Sequence, residues 1–334
     1  MKYRIPNEYK SDMSLYDTQN AISLTKRIFE EQLSNALNLK RVSAPLFVEK
    51  DSGLNDDLDG KSRAVDFSIP NINKEGTVVH SLAKWKRKAL YDYGFEVGEG
   101  LYTDMNAIRK DEVLDNIHSI YVDQWDWEKV IRKEERSLDY LFDVAKSIHK
   151  AIIETAKRLN NSYPSTRTDI SDELFFIDSS NLIDMYPGLD AKQREYEIVK
   201  KHKSVFIYKI GYKLKDGKPH DLRASDYDDW NLNGDLLYYD ELLDTQLELS
   251  SMGIRVDSNS LSAQLKETNE DYKEKFLYHK MILNNQLPYT IGGGIGESRL
   301  CMFLMNKVHI GEVQSSIWDE ETIKEAKDKG IVLL

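Results

Sequence analysis

Apolar and polar positions follow a helical period in two long stretches of the chain. In residues 18–39 apolar side chains recur every three or four positions, and Asp17 stands where it would cap the helix. Residues 137–159 carry a second apolar stripe of the same kind. Both stretches predict amphipathic helices that pack one face against a larger core.

Shorter stretches, rich in apolar residues and bounded by polar turns, predict strands. Residues 100–109 and 119–127 flank a charged turn and indicate a long antiparallel hairpin. Further strands are predicted at 64–69, 77–82, 175–178, 204–212, 234–242 and 245–256, and further helices at 83–90, 191–203, 260–268 and 271–284. Strands mostly neighbour strands and helices come in blocks, so the pattern predicts an α+β fold, an antiparallel β-sheet flanked by helices. A doubly wound parallel sheet fits less well. Because no repeat or linker interrupts the chain, we expect one catalytic domain over residues 1–334.

The composition limits the kinds of binding partner and the cellular compartment that we expect for the protein. The chain has 334 residues, a formal net charge of −11, and no apolar run near the length that a bilayer requires. Binding of nucleic acid needs a clustered basic surface, so we expect no nucleic-acid partner and no membrane anchor. The single cysteine, Cys301, excludes an internal disulfide, and the N-terminus lacks the apolar region of a signal peptide. We therefore expect a cytoplasmic protein.

The glycine-rich segment at residues 292–299, with the sequence GGGIGESR, is the most informative for chemistry. It has neither the Gly-Lys-Ser/Thr ending of a phosphate-binding P-loop nor the third glycine of a dinucleotide fingerprint. Successive glycines let a ligand approach the backbone, and a helix that starts near Glu297 would turn its N-terminus toward an anion. Arg299, in the first turn of that helix, suits a phosphate or a stacked base. A tight turn with a surface arginine explains the segment equally well.

Three other polar clusters each have a functional and a plain interpretation. Glu248 and Ser250 share one face of a strand and suit Mg²⁺ with an anionic substrate, or they form a polar outer face. Gln124 and Asp126 also share a face and suit an amino group, or they belong to a half-buried hairpin. An acidic set suits a metal or a ribose, or forms a solvated loop: Asp226, Asp228, Asp229 and Asp235. The seven histidines show no HExxH or HxH spacing, which argues against catalytic zinc.

Taken together, three segments resemble the signature motifs of class II aminoacyl-tRNA synthetases, in the right order. The helix that ends at VSAPLF, with Pro45, is similar to the first motif, usually a dimer-interface element. AIRKDE, with Arg109, followed by YVDQWDW, is similar to the second, although its acid is either Asp111 or Glu112. GGGIGESRL is similar to the third.

Longer runs are more specific, and they resemble ammonia-dependent asparagine synthetases over nearly the whole chain. The runs are HSLAKWKR, GEGLYT, YVDQWDWE, DYDDW, LNGD, ELSSMGIRV and IGGGIG. One departure is the stretch at 230–235, which is shorter than in some members of the family. The resemblance implies a homodimer with a class II synthetase-like core that uses ATP and Mg²⁺. It also implies that L-aspartate and ammonia form asparagine through a β-aspartyl-adenylate, with release of AMP and pyrophosphate.

The resemblance also implies a set of site residues. Those expected at the nucleotide are Arg109, Tyr227, Asp228, Asp235, Glu248, Ser250, Gly294 and Arg299, with Glu248 and Asp235 at the metal. Those expected at aspartate are Ser81, Lys86, Gln124, Asp126, Ser251 and Arg255. By analogy with a synthetase that activates the other carboxylate of aspartate, Lys86 and Arg255 would hold the α-carboxylate. Residues expected to act in catalysis are Asp56, Arg109, Gln124 and Arg299, with Asp56 as the group that accepts a proton from ammonium.

Several alternatives share part of this pattern. A true aminoacyl-tRNA synthetase would need an anticodon-binding domain and a basic face. A paralogue that transfers an amino acid to a protein lysine should lack DYDDW and ELSSMGIRV, and a regulatory paralogue without activity should have lost Arg109, Glu248 or Arg299. A glutamine-dependent enzyme would carry its cysteine at position 2, where Lys2 stands. Cys301 lies in an apolar helix that indicates packing, so nitrogen is expected to come from free ammonia.

Overall fold

The computed structural model describes residues 5–6, 8–56, 58 and 62–334. Lys2, on which the argument against a glutaminase rests, lies outside the described residues. In chain order the strands are β1 (Leu39–Arg41), β2 (Phe47–Glu49), β3 (Asp66–Ile69), β4 (Lys74–Val78), β5 (Gly100–Ile108), β6 (Tyr121–Val130), β7 (Phe175–Asp178), β8 (Ser204–Tyr208), β9 (Asp228–Asp240), β10 (Thr245–Arg255) and β11 (Thr290–Gly296). The helices are α1 (Leu15–Leu37), α2 (Ala83–Asp92), α3 (Leu138–Ser162), α4 (Ser179–Met185), α5 (Ala191–His202), α6 (Ser258–Glu267), α7 (Leu277–Leu283), α8 (Glu297–Leu304) and α9 (Glu320–Asp328).

One large sheet dominates the described part of the chain, in the order β1-β5-β6-β11-β10-β9-β8-β7. Its central pairs are all antiparallel, and the predicted hairpin is the β5–β6 pair, which runs from Gly100 opposite Lys129 to Ile108 opposite Tyr121. The predicted antiparallel sheet flanked by helices is therefore confirmed. The edges differ, because β1 pairs with β5 and β7 pairs with β8 in parallel. A parallel pair needs a crossover connection, which α4 and α5 supply between β7 and β8.

Helix boundaries follow the capping groups rather than the apolar stripe alone. The predicted start of α1 at residue 18 was wrong, because the helix begins at Leu15 with Ser14 as its N-cap. The Ser14 hydroxyl accepts the backbone N–H of Asp17 at 3.1 Å. Asp17 lies within the first turn, where its negative charge suits the helix dipole.

The main core fills the space between one face of the sheet and the helices α1, α3 and α8. Trp125 and Trp127 of β6 point into it and are fully buried, and the ring of Trp125 lies 4.7 Å from that of Phe29. Since side chains alternate along a strand, Gln124 and Asp126 point to the opposite face, as predicted. That opposite face of the sheet carries the cavity described below. Among the described residues, none of the helices combines the length and the apolar character needed to cross a membrane.

Candidate active site

A cavity of about 380 Å³ lies over the strands β6, β10 and β11, with further walls from the start of α2 and from loops. Of the site residues predicted from the sequence, every one lines this cavity except Asp235. Those that line it are Asp56, Ser81, Lys86, Arg109, Gln124, Asp126, Tyr227, Asp228, Glu248, Ser250, Ser251, Arg255, Gly294 and Arg299. Positions far apart in the sequence thus meet in one place.

Lys86 and Asp126 form a buried ion pair on the floor of the cavity. Lys86 Nζ donates to the carbonyl of Gly293 at 2.9 Å and lies 3.3 Å from Asp126 Oδ1. The other carboxylate oxygen of Asp126 accepts the backbone N–H of Leu82 at 3.0 Å, which ties β6 to the start of α2. Burial lowers the pKa of Lys86, and the negative charge of Asp126 opposes that change. The pair therefore offers a cation and an acceptor side by side.

Arg255 lies between two buried carboxylates. Its Nε donates to Glu128 at 3.0 Å, Nη2 donates to Glu128 Oε2 at 2.6 Å, and Nη1 donates to Asp228 Oδ1. Thr290 holds the other side of Glu128, because its hydroxyl donates to Oε1 at 2.7 Å. These bonds engage three of the five N–H groups of a guanidinium and leave two for a ligand.

Asp56 and Ser81 close the same end of the cavity. The Ser81 hydroxyl donates to Asp56 Oδ2 at 2.8 Å, and Asp56 Oδ1 accepts the backbone N–H of Leu58 at 2.9 Å. Only 3% of Asp56 is exposed, so its carboxylate is held in a nearly dry setting. Tyr227 belongs to this end as well, since Arg255 lies 5.6 Å from the centre of its ring.

Gly294 of β11 faces the same group of residues. A Cβ built there would lie 2.4 Å from Gln124 Oε1 and 2.8 Å from Asp126 Oδ1. The structure thus brings Tyr227, Asp228 and Gly294, all predicted at the nucleotide, to the end of the cavity that contains Asp126 and Arg255.

Two arginines and one glutamate make up another part of the lining. Arg299, in the first turn of α8, donates from Nη1 to the carbonyl of Glu248 at 3.1 Å and from Nε to that of Ile117 at 3.4 Å. Arg109 follows β5, and its Nε is buried without a hydrogen-bond partner in the described part of the chain. Burial lowers the pKa of Arg299, and the nearby positive charge of Arg109 lowers it further. The Glu248 carboxylate acts in the opposite direction. Lys192 and Arg223 also line the cavity and act on the Glu248 carboxylate, so several cations gather around one carboxylate, which suits a phosphate chain.

Asp235 is the predicted site residue that does not line the cavity. It lies opposite Ser251 in the β9–β10 pair, and its carboxylate accepts a hydrogen bond from Arg223 Nη2. Burial raises the pKa of Asp235, and the negative charge of Glu248 raises it further. The Arg223 guanidinium acts in the opposite direction. Within the described ranges no cluster of three or more His, Cys, Asp or Glu side chains could hold a metal ion. Mg²⁺ commonly takes one or two carboxylates together with substrate phosphates, and Glu248 in the cavity fits that pattern.

The acidic run around position 228 is buried, so its interpretation as a solvated loop was wrong. Asp226, Asp228 and Asp229 are each at most 5% exposed. Each carboxylate has a cation beside it, because the three bind Lys84, Arg255 and Arg136, respectively. Pairing of this kind is what allows a charge run to leave water.

Glu128 and Arg223 are among the charged residues of the site that sequence reasoning missed, as are Asp123, Lys192 and Asp221 in the cavity lining. Glu128 is fully buried beneath Arg255, and Arg223 lines the cavity and binds Asp235. Strand alternation could have found Glu128, since it falls on the same face as Gln124 and Asp126. Arg223 lies outside regular structure, where no period marks it.

Similar solved structures define the class of the protein. The asparaginyl-tRNA synthetase from Pyrococcus horikoshii complexed with asparaginyl-adenylate matches with a TM-score of 0.67 and 16% identity, covering 89% of this chain and 68% of that one. The aspartyl-tRNA synthetase from Entamoeba histolytica matches with a TM-score of 0.60 and 14% identity, covering 90% of this chain and 57% of that one. The chain therefore has the class II synthetase fold, with its cavity on the open face of the sheet.

The sequence profile of a family described as aspartate-ammonia ligase matches residues 16–330. The chain belongs to the aspartate–ammonia ligase family and is an enzyme of the ligase class. An aspartate–ammonia ligase from Clostridium tetani is 54% identical over 331 residues, which are 99% of this chain and 97% of that one. One from Lactobacillus acidophilus is 53% identical and covers 100% of both chains. Of the alternatives that the sequence left open, the ligase family is the one confirmed.

Proposed function

We propose that the protein makes L-asparagine from L-aspartate and ammonia through a β-aspartyl-adenylate, releasing AMP and pyrophosphate. Membership of the ligase family supports the overall reaction. The adenylate named for the Pyrococcus horikoshii synthetase, which shares the fold, supports the route. The observation that carries the proposal is a single cavity with the Lys86–Asp126 pair on its floor and Arg109 and Arg299 in its lining.

The activation step asks mainly for positioning and for stabilisation of charge. An oxygen of the β-carboxylate attacks the α-phosphorus of ATP, the bond from that phosphorus to the bridging oxygen breaks, and pyrophosphate leaves. Arg109 and Arg299 would hold the phosphates in line for this displacement. Glu248 would hold Mg²⁺, which offsets phosphate charge when bound, and the prediction of Asp235 as a second ligand stays a prediction.

Aspartate would lie with its α-carboxylate toward Lys86 and Arg255. The two N–H groups that Arg255 has left can grip a carboxylate, and Glu128 and Asp228 fix their direction. Asp126 and Gln124 would face the ammonium group of the substrate. Gly294 lies beside them and leaves space for that group because it has no side chain. Ser251, opposite Gly294 in the β10–β11 pair, also lines this space.

Ammonia is mostly protonated at neutral pH, so the second step needs a group that attracts ammonium and takes its proton. Asp56 would do both, with Ser81 keeping one carboxylate oxygen in place. The freed ammonia would attack the β-carbonyl carbon of the adenylate, its nitrogen releases one proton to solvent, the bond from that carbon to oxygen breaks, and AMP leaves with that oxygen.

The proposal treats the whole chain as one catalytic domain, because the cavity gathers residues from Asp56 to Gln314. A homodimer, a cytoplasmic setting and the lack of a nucleic-acid partner stay predictions of the sequence.

The experiment that tests the proposed function supplies ATP, Mg²⁺ and aspartate with ammonium, with glutamine, or with neither. We expect asparagine and AMP with ammonium alone. Cys301 cannot serve glutamine hydrolysis, because it is fully buried and burial raises its pKa. Formation of ADP, or of no asparagine by folded protein, would contradict the proposal.

A further inference from the structure

Three charged side chains form a cluster where α1, β6 and α8 meet, next to the first turn of α8 that carries Arg299. Lys26 Nζ lies 2.6 Å from Glu297 Oε2 and 3.4 Å from Asp123 Oδ2. Glu297 and Asp123 are 3% and 7% exposed, whereas 33% of the Lys26 side chain is exposed. The cluster therefore places one ammonium group against two buried carboxylates.

Asp123 fastens the first turn of α8 to the sheet. Its Oδ1 accepts the backbone N–H of Ser298 at 3.1 Å and the Gln314 side-chain amide at 3.1 Å, and its Oδ2 accepts the Ser298 hydroxyl at 2.7 Å. Gly296 precedes the helix and has no side chain to cap it, so Asp123 satisfies an N–H that the first turn leaves free. Arg299, which lines the cavity, is the next residue after Ser298.

Glu297 makes the cluster depend on Lys26. Its Oε2 contacts Lys26, and its Oε1 is buried with no hydrogen-bond partner among the residues that the structure describes. Burial raises the pKa of Glu297 to about 8, the charge of Asp123 adds to the rise, and Lys26 opposes it. The titratable groups that act on Glu297 from the surrounding elements are Lys26, Asp104, Tyr121, Asp123 and Cys301. Within that set Lys26 is the cation.

We propose that Lys26 is a positioning residue for Arg299, acting by neutralising Asp123 and Glu297 behind the first turn of α8. The inference rests on the proposed function, in which Arg299 holds the nucleotide. Loss of one partner leaves uncompensated charge behind and is strongly unfavourable in a buried cluster. Repulsion between the two carboxylates would loosen the bonds from Ser298 to Asp123 and move Arg299 away from the phosphates.

Lys26→Met tests the inference, because it keeps most of the apolar stem and removes the charge. We expect the KM for ATP to rise about tenfold at a pH well above 8, where Glu297 is ionised without Lys26 beside it, with a smaller change in the KM for aspartate. The defect should fade as the pH falls, because protonated Glu297 no longer repels Asp123. A matched control is Lys203→Met, which removes a lysine from an exposed pair 2.6 Å from Glu241 and should leave both constants unchanged.

A second variant separates charge from packing. Lys26→Met combined with Glu297→Gln removes the repulsion and should restore most of the ATP affinity, with a flat dependence on pH. ATP binding by calorimetry gives the same comparison without turnover, so loss of asparagine synthesis in the wild type would count against the proposed function and not against this inference. If Lys26→Met fails to fold, recovery of folded, ATP-binding protein in the double variant supports the inference.

Two results would overturn it. One is Lys26→Met protein with wild-type ATP affinity across the pH range. The other is a double variant that is as defective as Lys26→Met, which would show that Lys26 acts through packing alone.

Discussion

At the scale of single residues, the cavity is built from cations that already have carboxylate partners. Lys86 lies beside Asp126, and Arg255 is held by Glu128 and Asp228. A charge that is buried without a partner costs several kcal/mol or loses its proton, and the carboxylate partners oppose that loss. They also fix the direction of each cation before substrate arrives, which lowers the reorganisation needed during the reaction.

Gly294→Ala tests whether aspartate lies where the proposal puts it. The new Cβ would come within 2.4 Å of Gln124 Oε1 and 2.8 Å of Asp126 Oδ1. Because displacements of about 1 Å can cost two orders of magnitude in rate, we expect kcat/KM for aspartate to fall roughly 100-fold. Gly330→Ala is the comparison, since that glycine is exposed and a Cβ there meets no atom within 4 Å. Equal kinetics for the two variants would be evidence against the assignment.

Asp56→Asn tests the route of the proton. The variant keeps a hydrogen-bond partner for Ser81 and loses the group that takes a proton from ammonium. We expect asparagine synthesis to fall at neutral pH and to recover in part as rising pH supplies more free ammonia. Exchange of labelled pyrophosphate into ATP, which reports adenylate formation, should change much less. Full asparagine synthesis by the variant at neutral pH would rule Asp56 out of this role.

At the scale of elements, one buried carboxylate ties the segment before β9 to the helices α2 and α7. Asp226 Oδ2 accepts Lys84 Nζ of α2 at 2.9 Å and His279 Nε2 of α7 at 2.9 Å. Burial alone would raise the pKa of Asp226, but Lys84 and His279 outweigh it and hold the pKa well below the usual range. Since Lys86 follows on α2 and Tyr227 follows Asp226, this junction sets both residues in place.

Asp226→Asn should therefore destabilise the fold as well as the site. We expect the free energy of unfolding to fall by about 3–5 kcal/mol near neutral pH, because a buried cation loses its partner. Because the pKa of Asp226 is depressed, its ionised carboxylate stabilises the protein fully above the ordinary pKa of aspartate, and this stabilisation is lost only in strong acid. In strong acid the wild type and the variant should therefore have similar free energies of unfolding. Urea unfolding measures the difference. Glu241→Gln, in an exposed pair with Lys203, should cost no more than about 1 kcal/mol, and a similar loss in both variants would refute the role of burial.

Local pattern predicted most elements and missed those that tertiary contacts decide. The β5–β6 hairpin and the helix that begins at Glu297 follow directly from their periods. The predicted helix at 271–284 is instead a short 3-10 turn at Asp271–Lys275 and α7, separated by Phe276 in an extended conformation. The predicted strand at 234–242 begins earlier, at Asp228. Its first two residues can be buried because Arg255 and Arg136 form ion pairs with their carboxylates.

In the candidate site, too, local pattern predicted some residues and tertiary contacts decided the others. Residues on alternating strand positions, such as Gln124 and Asp126, could be assigned to one face from the sequence alone. Pairings such as Lys26 with Glu297, or Arg223 with Asp235, join elements that no sequence period relates. Only the three-dimensional arrangement shows them.

At the scale of the whole molecule, one cavity gathers the groups that the proposed function assigns to its two half-reactions. In the proposed function aspartate and the nucleotide meet between Lys86 and Arg299, and the family of the chain supports aspartate as one of the two. The central claim is that the bond to the β-carboxylate forms at the α-phosphorus. This claim makes a prediction about one atom, because an oxygen of aspartate must leave with AMP.

The most direct test uses aspartate labelled with ¹⁸O in both oxygens of its β-carboxylate, incubated with ATP, Mg²⁺ and ammonium. Mass spectrometry should find one labelled oxygen in AMP and the other in the amide of asparagine, with pyrophosphate unlabelled. Label in inorganic phosphate, accompanied by ADP, would contradict the account, since it would place the attack at the γ-phosphorus.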